Sequence, residues 1–431
     1  MKFGLLVGGW MDDTRREATA NGERPRADIF LLEERLNCHA FDFSWLEARC
    51  ATEPLTRTLR KLIGWSATLA VRALPELSKC EAIYCSGEDV GLPLGWLLAF
   101  TKRQRIVMRM EQPEYGSSML KRALWRALLR GALRRVNQVF CRTEAHVEFL
   151  KALGYARAAF TPETTDAEFW TINSNAHASP CPNAPYPPVM GAPDSVSPAG
   201  SLSPAADTPI TLSPNGVGEG VATKEPGEGQ VPQNPLLLGG RGACGSILSA
   251  GLEERDYPTL IQAVEGTDWQ LTVAAGSPWS KFSFASEAPP ENVTVAKFAQ
   301  KELREQYAQA DVVVLSVNPT PRACGMNVVL EAWAMGVPVI ATDTPGLKSY
   351  LMDGENALLV PPKDPVALQK ALEMLRADRK LSHKLTENGK RCIASWGNLE
   401  SYVGIIESAL RAPSSVSCGK NPASISSDPG Y

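Results

Sequence analysis

The sequence predicts two doubly wound α/β domains that face a central cleft. Three observations predict it. Apolar strand-like runs alternate with helical patterns in both halves of the chain, as parallel sheets covered on both faces require. A long stretch between the halves loses all periodicity. And 431 residues exceed what one hydrophobic core usually organises.

In the first half, residues Phe3 to Val7 read as a buried strand that ends in Gly8-Gly9. Asp28 to Leu36 carries apolar residues at helical spacing, and His39 to Phe43 returns as a short strand. Further strands follow at Glu81 to Cys85, Arg105 to Met110 and Gln138 to Cys141, with helical stretches between them. From about Thr171 to Cys244 Pro, Ser, Gly, Ala and Asn dominate. Such a segment buries too little apolar surface to offset its ordering entropy, so a disordered linker is expected. Regular structure is predicted to resume at Ile247. Strands are expected at Ile247 to Ala250, Gln270 to Ala274, Val293 to Ala296, Val312 to Leu315 and Val337 to Thr342. Helices are expected at Tyr257 to Val264, Lys301 to Gln309, Asn327 to Met335 and Pro365 to Arg376. The boundaries read 1–170 for the N-terminal domain, 171–244 for the linker, 245–412 for the C-terminal domain and 413–431 for a tail.

Composition narrows the function. A formal net charge of −3 gives no overall basic field of the kind a nucleic-acid protein needs. Ten cysteines lie scattered without a CxxC pair, which suits free thiols in a reducing cytoplasm better than a disulfide framework. The four histidines, at 39, 146, 177 and 383, have no ligand spacing, so no metal is expected. No apolar run approaches the ~18 residues of a membrane span, and the longest, Val90 to Phe100, contains Pro93. The N-terminus is short for a signal peptide and broken by glycines, so a first core strand is the better reading.

The chemistry concentrates in Asn318 to Gly346, NPTPRACGMNVVLEAWAMGVPVIATDTPG. A strand ends near Ser316, a Pro- and Gly-containing loop follows, and a helix begins near Asn327. Free backbone amides at a helix start carry partial positive charge, which makes Gly325, Met326, Asn327 and Val328 an anion cradle. Asn327 and Glu331, four apart, share one helix face. Cys324 beside the loop invites a nucleophile reading, but no histidine adjoins it in sequence and packing is preferred. In the first half, Gly8 and Gly9, Glu88 in SGED and Glu111 in RMEQPEY all follow strands and should face the cleft.

The run VLEAWAMGVPVIATDTPGLKSYLMDGENALLVPPKD resembles the donor-binding signature of glycosyltransferase family 4, the glycosyl transferases group 1. ILSAGLEERDYPTLIQAV, AAGSPW and NVTVAKFAQKELREQYAQADVVVLS continue the likeness in the family's order, over essentially all of 247–412. The N-terminal part is looser, through CRTEAHVEFLKALGY and TTDAEFW. The resemblance implies a GT-B fold, two Rossmann-like domains about a cleft. It implies transfer of a sugar from a nucleoside diphosphate sugar to a hydroxyl acceptor, retaining and without an obligatory metal or cofactor. It further implies that Glu331 binds the donor ribose and Arg255 the diphosphate. Two positions depart from the pattern. Leu252 stands where a second cation is frequent, and Ala323 stands where an acid eight residues before Glu331 is usual. A nucleotide-sugar epimerase and a degenerate binding scaffold on the same fold are the rival readings.

Residues 121–135, KRALWRALLRGALRR, contain no acid. Arg122, Arg126, Arg130 and Arg134 form one stripe beside Leu120, Leu124, Leu128 and Val136. Two readings stay open, an interfacial helix on an anionic membrane and a packed helix with a solvated basic face. A lipid-linked acceptor would suit the first, with the chain on the cytoplasmic side. Nucleic acid fits neither, for want of interleaved aromatics.

If each domain owns its core, replacing most of 171–244 by a flexible bridge of about fifteen residues leaves two intact melting transitions and unchanged turnover. Loss of cooperative melting in either half would make the segment structural.

Overall fold

A computed structural model describes residues 1–99, 104–112, 119–171, 245–275 and 289–412. The expected linker from residue 172 onward and the expected tail lie outside the described residues.

The described residues form two six-stranded parallel sheets. The first contains β1 (Phe3–Leu6), β2 (Ala40–Phe41), β3 (Ala82–Cys85), β4 (Arg105–Met110), β5 (Gln138–Cys141) and β6 (Ala158–Phe160), in the order β2-β1-β3-β4-β5-β6. The second contains β7 (Ser246–Ala250), β8 (Gln270–Ala274), β9 (Val293–Ala296), β10 (Val312–Leu315), β11 (Val339–Thr342) and β12 (Leu358–Val360), in the order β12-β11-β10-β7-β8-β9. The strands are short and mostly buried throughout, as parallel strands covered on both faces must be. Each sheet reverses its winding once, between β1 and β3 in the first and between β7 and β10 in the second. In such sheets the crevice at the reversal, outside the carboxyl ends of the strands, is where ligands bind.

The helices on the first sheet are α1 (Asp13–Ala20), α2 (Asp28–Leu36), α3 (Phe43–Thr52), α4 (Pro54–Leu77), α5 (Glu88–Leu97), α6 (Met119–Leu133) and α7 (Glu144–Ala152). A short α8 (Ala167–Trp170) leads out of it. The second sheet carries α9 (Tyr257–Val264), α10 (Gln300–Gln309), α11 (Met326–Ala334), α12 (Pro365–Ala377) and α13 (Arg379–Ser395), before the last helix α14 (Leu399–Arg411). Caps fix several starts. Asp42 accepts from the amides of Trp45 and Met11, so α3 begins at Phe43 and β2 stops at Phe41, short of the expected strand end. Likewise β11 starts at Val339, later than expected, because Gly336 ends the preceding turn at φ +72° and Pro338 has no N–H to give a ladder.

The chain crosses between the halves twice. Helix α8 belongs by sequence to the first half, yet Phe169 and Trp170 are buried in the core of the second, against Tyr307 and Trp333. Helix α14 ends the second half, yet it packs on α2, β3 and β4. Its Leu399, Tyr402, Val403, Ile406 and Leu410 are buried with Leu5, Ile29, Leu32 and Tyr84 of the first half. The Tyr84 and Tyr402 hydroxyls share a hydrogen bond of 2.7 Å inside that core. Sequence boundaries that assign 399–412 to the second half therefore miss where this helix lies.

Ile406 is fully buried in that contact. Ile406→Ala should lower stability by about 2–5 kcal/mol, the range for a large-to-small change in a packed core. Urea unfolding followed by fluorescence should show the loss in the transition of the first half. A shift confined to the second half would contradict the packing.

Candidate functional site

Two loops meet at the reversal of the second sheet, one after β7 and one after β10. They are stitched together. Arg255 and Val317 form an antiparallel bridge, Asp256 N donates to Ser316 O (2.9 Å), and Asn318 N donates to Glu254 O (2.8 Å). Arg255 is buried at 8% exposure. Its Nε donates to Ala250 O (2.7 Å) and its Nη1 to Glu253 O (2.8 Å). A buried guanidinium needs such partners, and desolvation is the main influence lowering its pKa. The acids beside it in sequence do not pair with it. Glu253 and Glu254 go instead to Arg322, at 2.5 and 3.2 Å.

Helix α11 starts directly above this cation. Gly325, its N-cap, sits at φ +85°, and a Cβ there would lie 2.9 Å from Arg255 Nη1 and 2.4 Å from Leu315 Cδ1. Only glycine suits both the backbone and the space. No side chain caps the helix. Its core face is Met326, Val328, Val329, Leu330, Ala332 and Trp333. The side chains of Met326 and Val328 are therefore packing residues, and their amides already donate to Ala323 O (3.2 Å) and Gly325 O (2.9 Å), so of the four positions expected to cradle an anion only Gly325 and Asn327 offer their amides. Asn327 is exposed and Glu331 half-buried, on the other face, as the four-residue spacing predicts.

Glu331 accepts a hydrogen bond from Tyr307 Oη at 2.7 Å. Tyr307 is fully buried and braced edge-on by Trp170, with ring centroids 5.5 Å apart. Burial pushes the Glu331 carboxyl up to about 7, against the opposing pull of the Tyr307 hydroxyl and the Arg255 charge. A carboxylate held this way has one oxygen fixed and acceptor capacity left over. The Cys324 thiol is buried and pushed up to about 11, mainly by desolvation, which fits packing and not nucleophilic attack.

In the first half, the corresponding reversal is flanked by Gly8 and by Ser86, joined by Gly8 N donating to Ser86 Oγ (3.0 Å). Gly8 is exposed, and a Cβ on Gly9 would meet nothing within 4 Å. Glu88 and Glu111, singled out alike by sequence, differ in the structure. Glu88 is buried, and its two oxygens accept from the backbone amides of Glu111 (2.9 Å) and Gln112 (3.2 Å), so it shapes the end of β4. The Glu111 side chain is 44% exposed and lies 3.0 Å from Arg109 Nε. Desolvation disfavours its charge, but Arg109, Arg142, His146 and Arg322 outweigh it and hold the carboxyl below its ordinary pKa.

Sequence reasoning missed four residues here, Arg142, Glu163, Tyr350 and Arg322. Arg142 is buried, 3.1 Å from Glu163, and its guanidinium stacks 4.7 Å from the Tyr402 ring. Tyr350 of the second half donates its hydroxyl to Arg142 O and accepts from Glu163 N. Arg142 immediately follows β5, so the rule that flagged Glu88 and Glu111 could have found it. Glu163 follows β6 in the same way. Arg322 lay in plain sight in the loop already singled out.

Among the described residues no group of three or more His, Cys, Asp or Glu is arranged to hold a metal ion, and no helix is long and apolar enough to cross a membrane. The seven described cysteines are free.

Comparison with known proteins bears on the second half most directly. Residues 254–378 match the family model "Glycosyl transferases group 1". Over 148 residues the chain is 38% identical to the lipopolysaccharide core biosynthesis glycosyltransferase LpsE of Rhizobium meliloti, covering 33% of this chain and 43% of that one. Over 143 residues it is 32% identical to a D-inositol 3-phosphate glycosyltransferase of Corynebacterium urealyticum, covering 32% of this chain and 31% of that one. The chain thus spans less than half the length of these curated relatives. Among solved structures, Anabaena Alr3699/HepE in complex with UDP-glucose superposes with a TM-score of 0.58 at 12% identity, over 95% of this chain and 99% of that one. Sucrose-phosphate synthase from Thermosynechococcus elongatus gives 0.54 at 17% identity, over 83% and 79%. At these identities the likeness is one of fold, and the fold is GT-B.

Proposed function

Because residues 254–378 match the glycosyl transferases group 1 family model, we propose that the chain is a glycosyltransferase using a nucleoside diphosphate sugar as donor. The observation that carries this reading is the pairing, on one helix, of an uncapped N-terminus over Arg255 with the half-buried carboxylate of Glu331. The amides of Gly325 and Asn327 suit a diphosphate, and Glu331 suits a ribose diol. Relatives that are named as glycosyltransferases, and a fold neighbour solved with UDP-glucose, support the same donor class.

In the proposed reaction the acceptor oxygen bonds to the anomeric carbon with retention of configuration. The bond to the diphosphate breaks, and the acceptor proton passes to the departing phosphate oxygen. Charge building on that oxygen would be met by the start of α11 and the Arg255 charge beneath it, without an obligatory metal. Glu111 is proposed to orient the acceptor hydroxyl, with Glu88 positioning it through the backbone. Gly8 and Gly9 would let substrate approach the end of β1 closely.

A second part of the proposal concerns where the acceptor lies. On α6 the inner face is Leu129, Ala132 and Leu133, while Met119, Leu120, Leu124 and Leu128 are 84%, 81%, 61% and 46% exposed. Val136, counted with the apolar row in the sequence, is buried instead, as is Arg135 at the end of the basic run. Trp96 of α5, itself 47% exposed, leans on α6 at Gly131. A packed helix with only a solvated basic face would hide the leucine row. An outward apolar row flanked by Arg122 and Arg126 suits an anionic lipid surface, at about 1 kcal/mol for each basic residue near it. We propose that the chain works on the cytoplasmic side of a membrane, against a lipid-linked acceptor.

Two outcomes test these readings. Donor binding needs the ionised form of Glu331, so affinity for the nucleotide sugar should rise with pH through about 7 and level off above it. Glu331→Gln should weaken binding by about tenfold and flatten that profile. The same variant should melt higher at pH 8. A carboxyl whose folded pKa exceeds its unfolded value destabilises the fold progressively as pH rises between the two. Unchanged affinity by calorimetry would refute the assignment. For the membrane, sedimentation with anionic vesicles at low salt should pull the protein down, weaken at physiological salt, and fail for Arg122→Glu combined with Leu124→Asp. Equal binding to neutral vesicles would refute the electrostatic part.

A further inference from the structure

Arg322 lies three residues before Gly325, in the loop that leads from β10 into α11. Its backbone is pinned. Arg322 N donates to Thr320 Oγ1 (3.2 Å), Gly346 N donates to Thr320 O (3.0 Å), and a Cβ on Gly346 would sit 1.8 Å from Arg322 O. Its side chain, 28% exposed, is the adjustable part, and the two arms of its guanidinium go to two carboxylates on the β7 loop. Those carboxylates are loosely held, Glu253 at 67% and Glu254 at 39% side-chain exposure, and exposed pairs of this kind contribute little stability. Glu254 also sits at φ +56°, a backbone conformation unfavourable for a non-glycine residue.

The β7 loop offers a single, partly committed cation to an anion at α11. Leu252 follows Gly251 and packs on the core of the second sheet. Arg255 has Nε and Nη1 committed to backbone carbonyls. Arg322, in contrast, presents its charge toward both halves. It helps keep Glu111 ionised and opposes protonation of His146, and both of those stand at carboxyl ends of the first sheet.

We propose that Arg322 is a diphosphate-binding residue which exchanges its Glu253 and Glu254 partners for the donor's phosphates. The proposal rests on the donor reading above. A guanidinium fork matches phosphate oxygens as well as carboxylates, so the exchange conserves geometry while moving the charge to the helix start. Glu253 and Glu254 are then competitors of the ligand, and this gives the proposal an unusual sign. Removing the acids should strengthen binding.

The test is calorimetric titration of the full chain with UDP, GDP and ADP, with melting temperatures recorded for every variant. Arg322→Gln should weaken the tightest of these by about tenfold or more. Glu253→Gln with Glu254→Gln should tighten it by roughly threefold to tenfold, and should do nothing once Arg322→Gln is present. A merely structural ion pair would lower the melting temperature of both variants and weaken binding in both. Weaker or unchanged binding in the double glutamine variant overturns the exchange, as does an unchanged Arg322→Gln beside a parent that binds. A parent that binds none of the three diphosphates overturns the donor reading, and this inference with it.

Discussion

The buried guanidinium of Arg255 is the constraint around which the second half is arranged. A full charge in the interior is tolerated only where polar groups surround it, so the carbonyls of Ala250 and Glu253 must turn toward it. That requirement shapes the loop after β7. The guanidinium and Leu315 together leave no room for a side chain at position 325, whose φ of +85° also favours glycine, so α11 starts on a glycine with no side-chain cap. Its field also reaches Glu331, where it partly offsets the burial that raises that carboxyl. One cation thus couples the β7 loop, the helix start and the helix carboxylate.

The two crossings connect this corner to the first half. Trp170, carried out of the first half by α8, braces Tyr307, and Tyr307 fixes Glu331. Going the other way, α14 brings Tyr402 under the Arg142 guanidinium and against Tyr84. Tyr350 closes the link by holding the Arg142 carbonyl and the Glu163 amide together. The two halves are thus joined through buried aromatic side chains, with the ion pairs of Arg35 to Glu400 and Glu407 of α14 beside them.

Much of this was legible in the sequence, for identifiable reasons. Strands such as Val312–Leu315 and Gln270–Ala274 are short apolar runs bounded by turn residues, and their limits match the structure. Glu331 stood out because a charged residue amid VVLEAWA has to face away from the core its neighbours fill. What stayed hidden depends on tertiary contacts. Nothing local in LESYVGIIESALR says that this amphipathic helix packs on a sheet begun some 390 residues earlier, since its apolar face would fit either core. Glu88 and Glu111 look alike in sequence because both follow strands; only the fold turns one toward backbone amides and leaves the other half-exposed. Arg255 and Arg322 were separated for the same reason. Spacing cannot tell which of two arginines takes the neighbouring acids, and the structure gives them to the more distant one.

The central claim is that the α11 corner holds the diphosphate and ribose of a sugar donor. A crystal structure of the full chain soaked with the tightest-binding nucleoside diphosphate tests it most directly. The account predicts phosphate oxygens against the amides of Gly325 and Asn327, with the ribose hydroxyls on the free oxygen of Glu331. A well-ordered nucleotide bound elsewhere, with Glu331 still paired to Tyr307 alone, would contradict it.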